Sequence, residues 1–99
     1  MHEVCVLLGA EIDIQEAYAR IGAQSERRAE QFQHEVDGCL VSLRSHPRLG
    51  PVRLGSYHRL VLAGWPYALF YKVLGSRVLV HALIDLRQDP ALIRRRLDL

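Results

Sequence analysis

Cysteine is nearly absent from this chain. Cys5 and Cys39 are the only two, and each stands among apolar neighbours. They read as small buried hydrophobes, neither a disulfide framework nor a zinc site. The five histidines show no i, i+4 pairing, so no helical metal-ligand pair is present, and no metal or cofactor is expected. Long apolar runs are missing as well. Val4-Cys5-Val6-Leu7-Leu8 is soon followed by Glu11 and Asp13. A membrane span needs about twenty apolar residues, and a signal peptide needs a basic start and a longer apolar stretch. A cytoplasmic protein with no membrane partner is therefore expected. Repeats, low-complexity segments and linkers are absent too, so residues 1–99 are expected to form one domain.

Lysine is scarce: twelve of the thirteen basic residues are arginine, the side chain suited to bidentate pairing with carboxylate or phosphate. The net charge is only +2, but it is unevenly spread. Residues 1–52 hold five Arg against eight acids, and residues 53–99 hold eight basic residues against three acids. An acidic front half and a basic back half predict a surface with one positive face. At 49% hydrophobic and 24% charged residues, the composition is that of a globular chain.

Residues 3–8 read as a short strand. From Ala10, the residues Ile14, Ala17, Tyr18 and Ile21 recur at helical spacing, and Gly22 is a plausible stop. Ser25 opens a second helix whose apolar stripe is Ala29, Phe32, Val36, Cys39, Leu40 and Leu43, ending at Ser45-His46-Pro47. A three-residue link between two amphipathic helices predicts an antiparallel hairpin. Beyond the turn cluster Arg48-Leu49-Gly50-Pro51, strand-forming residues run from Arg53 to Ile84. They are broken at Ala63-Gly64-Trp65-Pro66 and at Gly75-Ser76, whose leading glycine suits a type II′ turn. Asp89-Pro90 starts a short helix ending in Arg94-Arg95-Arg96. The expected class is α+β. An N-terminal strand and a three-stranded antiparallel meander form a sheet, the helical hairpin packs on one face, and a short C-terminal helix follows.

Three segments resemble the RelE/ParE superfamily of toxins from bacterial type II toxin–antitoxin modules. Leu8-Gly9-Ala10-Glu11-Ile12-Asp13-Ile14 is similar to the family's first helix start. Gly64-Trp65-Pro66-Tyr67-Ala68-Leu69-Phe70-Tyr71-Lys72-Val73 resembles the Phe-Pro-Tyr strand of ParE members. Ala82-Leu83-Ile84-Asp85-Leu86-Arg87-Gln88-Asp89-Pro90 is similar to the family's last strand end. The resemblance spans almost the whole chain in order. It implies a cytoplasmic toxin of a plasmid stabilisation system, neutralised by a cognate antitoxin. Its RelE branch implies ribosome-dependent cleavage of messenger RNA, and its ParE branch implies inhibition of DNA gyrase.

RNA cleavage by the 2′-hydroxyl needs a base, an acid and cations for the developing phosphorane charge. Of the family's cationic positions, only the first falls on a basic residue here, Arg59. The others fall on Val61, Ala68 and Gln88. Fewer than three basic side chains are therefore expected to converge near Arg59, and the ParE branch is favoured. Asp85 and Gln88 depart from the ParE pattern as well, where His and Arg are usual. The nuclease alternative would draw on Arg59, Arg87, His58 or His81, and a relic that binds antitoxin without toxicity is a third reading. His58 and His81 also read as hydrogen-bonded structural residues, and Arg94-Arg95-Arg96 as a solvated helix face. For an acidic antitoxin tail, the expected contacts are Trp65, Tyr67, Arg77, Arg87, Arg94 and Arg95, since Trp, Tyr and Arg lead interface hot spots.

Overall fold

A computed structural model describes residues 1–99. The chain runs β1 (Glu3–Val6), α1 (Leu8–Gly22), α2 (Glu26–Ser45), β2 (Val52–Leu54), β3 (Tyr57–Val61), β4 (Tyr67–Leu74), β5 (Arg77–Asp85) and α3 (Pro90–Arg96). The five strands make one sheet in the order β1-β5-β4-β3-β2. The α+β class is as expected, with two refinements. β1 joins β5 in parallel, making the sheet mixed, and β2 adds a fourth strand to the meander. The turn between β2 and β3 is Gly55-Ser56, with Gly55 at φ +53°. At the β4–β5 hairpin Gly75 has φ +60° and Ser76 does not enter the positive region, as a type II′ turn requires.

The hairpin helices form for local reasons. Ser25 caps α2, its Oγ accepting the Arg28 N–H at 3.2 Å. Asp89 caps α3 in the same way, accepting the Ala91 N–H at 2.9 Å ahead of Pro90. Ile14 and Ala17 of α1, and Phe32, Val36 and Leu43 of α2, are buried against Leu69, Tyr71, Val78, Val80 and Leu83 of the sheet. Leu40 is half-buried at the margin of this core, and Tyr18, expected on the inner stripe, is exposed instead. Tyr18 directly follows the buried Ala17, so the inner face of α1 is narrower than the apolar pattern.

The second face of the sheet is covered as well, by α3. Ile93 and Leu97 bury Tyr57, Ala68, Phe70, Ala82 and Ile84. The helices are therefore not confined to one face. A β-bulge in β5 lies within this two-sided core. Phe70 pairs with Ala82 but the next residue, Tyr71, pairs with Val80, which leaves His81 as the extra residue of β5. The alternation of β5 flips there. Val78 and Val80 face the hairpin, and two residues after Val80 Ala82 faces α3.

Candidate functional site

The turn joining β3 to β4 sits toward the linked end of the helical hairpin. It closes through Leu62 N–H to Tyr67 C=O at 2.9 Å and Trp65 N–H to Leu62 C=O at 3.1 Å. Glu35 of α2 accepts the Ala63 N–H at 3.2 Å and ties the turn to the helix. Trp65 and Tyr67 then meet Phe32 edge-on, each with ring centroids 5.5 Å apart. After β5, the Leu86 N–H donates to Pro66 C=O at 2.8 Å and brings Arg87 to the same place. The result is a groove of about 390 Å³ lined by Arg20, Ile21, Arg28, Trp65, Tyr67 and Arg87 among others.

Two of its guanidinium groups have partners. Arg28 stacks over Trp65 at 4.7 Å from the ring centroid. Arg87 grips Asp85 with a fork, Nε to Oδ1 at 3.0 Å and Nη2 to Oδ2 at 2.7 Å. That fork, with Arg20 nearby, holds the Asp85 carboxyl below its usual range. Of the expected partner contacts, Trp65, Tyr67 and Arg87 thus come together. Tyr67 contributes mostly as buried packing. Arg77 lies at the far end of β5, eight residues or roughly 26 Å away along the strand. There it pairs with Glu3 at 3.0 Å. Arg94 and Arg95 are exposed on α3, on the other face of the sheet. Arg20 and Arg28 were not singled out in the sequence. Their signal was position: they close α1 and open α2, so the hairpin must place both at its linked end.

The candidate catalytic residues divide. His58 is structural: Nδ1 lies 2.7 Å from Gly50 C=O and its ring stacks on Tyr71 at 5.0 Å. Arg59 is half-buried and stands opposite Phe70, while Val61 stands opposite the fully buried Ala68. Two of the cationic positions of an RNA-cleaving sheet are thus occupied by apolar groups, the exposed Val61 and the buried Ala68. One register step along, however, Tyr57 carries Lys72 over its ring at 4.5 Å and His81 edge-on at 5.2 Å. Burial, with Lys72 and Arg96 close by, pushes the His81 pKa down. Lys72 and His81 thus meet over Tyr57, and Arg96, whose guanidinium pairs with Asp13 at 2.7 Å, lies close to His81. The bulge at His81 creates this group. Arg87 does not belong to it, being locked on Asp85 in the groove. No three His, Cys, Asp or Glu side chains lie close enough together to hold a metal ion. No helix is long and apolar enough to cross a membrane.

A mixed five-stranded sheet with a helical hairpin on one face and a short helix on the other is the architecture of a ParE-like protein. The sequence matches the family model for the ParE toxin of the type II toxin–antitoxin system parDE over residues 8–90, and the chain belongs to that family. A solved structure described as the chromosomal ParDE toxin–antitoxin system from P. aeruginosa has the same fold. The TM-score is 0.76 at 16% identity, covering 87% of this chain and 97% of that one. No curated protein matches the sequence.

Proposed function

We propose that this chain is a single toxin domain acting in the cytoplasm as an inhibitor of DNA gyrase, held inactive by a cognate antitoxin of a plasmid stabilisation module. Membership of the ParE family supports the toxin role. One observation favours gyrase over messenger RNA: the exposed Val61 and the buried Ala68 pair across β3 and β4 where an RNA-cleaving sheet needs cations. For the antitoxin, the groove at Trp65, Tyr67 and Arg87 offers an aromatic wall and positive charge, and Arg94 and Arg95 extend the positive surface on α3.

Induced expression tests this, with gyrase supercoiling and messenger RNA integrity followed side by side. Growth should stop, supercoiling should fall and transcripts should stay whole. A second reading has support in the Lys72, His81 and Arg96 group, where a histidine held neutral could take a proton. Ribosome-dependent cuts that vanish in Arg59→Ala or His81→Ala would establish that reading and remove the first.

A further inference from the structure

We infer that the groove between Arg20, Arg28 and Arg87 is a carboxylate site, built to take an acidic segment of a protein partner with an apolar side chain laid against Trp65. The identity of that partner as the antitoxin rests on the reading above; the chemistry of the site does not. Three guanidinium groups, from α1, α2 and the segment after β5, line one groove that has no acidic lining residue, and Asp85 beside it is already held by Arg87. Arg20 and Arg28 form no ion pair. The groove therefore carries an uncompensated charge of +2, and like charges held together are costly until an anion arrives. Two of the three groups are also preorganised. Arg28 sits over the Trp65 ring and Arg87 makes two bonds to Asp85, so less side-chain freedom remains to be lost on binding. The floor beside them is apolar, with Ile21, Trp65 and Pro66. A carboxylate flanked by an aliphatic side chain satisfies both halves.

Nucleic acid fits less well. A phosphate backbone gains affinity from many successive cationic contacts. Leaving this groove along either helix, it would meet net negative charge. α1 has Glu11, Asp13 and Glu16 against Arg20, and α2 has Glu26, Glu30, Glu35 and Asp37 against Arg27, Arg28 and Arg44. A short acidic peptide needs only the groove.

The test is fluorescence anisotropy with a short labelled peptide of alternating Glu and Leu, a Gln-for-Glu control peptide, and a single-stranded oligonucleotide of similar length. The full chain should prefer the Glu peptide to both by about ten-fold or more, the scale of one charge-assisted contact. The double variant Arg20→Gln, Arg28→Gln should lose that preference. The control double variant Arg44→Gln, Arg48→Gln removes equal charge from exposed sites and should keep it. Arg28→Lys retains charge but not the planar guanidinium over Trp65, and should bind between the two. The proposal is overturned if the wild type shows no preference, if both double variants bind alike, or if the oligonucleotide binds as tightly as the Glu peptide. Because the peptide is synthetic, the two readings fail separately. Groove-dependent binding without growth arrest on induction removes the toxin reading alone. Growth arrest without groove-dependent binding removes this one alone.

Discussion

Tyr71 and Gly50 are joined by hydrogen bonds inside the fold: the Gly50 N–H donates to Tyr71 Oη at 2.9 Å, and the hydroxyl lies 3.4 Å from Gly50 C=O. That carbonyl also meets His58 Nδ1 at 2.7 Å. The loop after α2 is thereby pinned to β4 and β3 at one buried point. A side chain at position 50 has no room, because a Cβ there would run into the Arg59 carbonyl group. Gly50→Ala should therefore cost about 1–3 kcal/mol through overpacking. Tyr71→Phe leaves the Gly50 N–H without its partner, and should cost a similar 1–3 kcal/mol or so. Urea unfolding checks both. An unchanged midpoint in either variant would remove the pin from the account.

Asp13 should matter more than a partly exposed carboxylate usually does. Its Oδ2 accepts the Leu83 N–H at 3.0 Å and Arg96 Nη2 at 2.7 Å, so one side chain of α1 holds β5 and α3. Removing it leaves a part-buried backbone donor unpaired. Asp13→Ala should destabilise by about 1–3 kcal/mol, and Asp13→Asn by less because an acceptor remains. Burial outweighs these partners and raises the Asp13 pKa. The folded state then binds the proton more tightly than the unfolded one. Asp13's own contribution is largest at low pH and declines as pH rises through the folded pKa. Chemical denaturation of wild type and Asp13→Asn across the acid range reads this difference.

His81 has the opposite sign. Its pKa is lowered in the folded state, so the unfolded chain binds the proton first. Stability from His81 is full above its ordinary pKa of 6.5 and is lost as pH falls from there toward the folded value. Lys72 and Arg96 both stand close enough to repel the imidazolium. His81→Gln should flatten the pH dependence of unfolding between neutrality and mild acid. The same slope in wild type and variant would show that the histidine is not responsible.

The sequence made some of these features readable and concealed others. The stripe of Phe32, Val36 and Leu43 recurs over twenty residues, long enough for helical period to speak, and all three are buried. β2 is three residues long, too short for alternation to register, and its partner β3 begins after a two-residue turn. The bulge at His81 lies inside the otherwise apolar run of β5, where both faces are covered and a single histidine does not show that the alternation flips. The missing cations at Val61 and Ala68 were legible, because a strand register transfers residue by residue. The Lys72, His81 and Arg96 group was not, because it depends on that bulge and on where α3 docks. Arg28 belongs to Trp65 only through the tertiary fold, so composition disclosed the arginines but not their meeting place.

The last prediction separates steering from grip. Arg94 and Arg95 are exposed on α3, whose hold on the sheet comes from Ile93 and Leu97. Reversing both charges should leave the fold intact. If the antitoxin is acidic, as the basic C-terminal half of this chain implies, these residues act on the approach and change the association rate. Arg20 and Arg28, inside the groove, should act on dissociation. The double variant Arg94→Glu, Arg95→Glu should associate more slowly with the cognate antitoxin, and its rate should depend less steeply on salt than the wild-type rate. Stopped-flow mixing over a range of ionic strength measures both. An unchanged association rate at every salt concentration would make the α3 arginines a solvated helix face and nothing more.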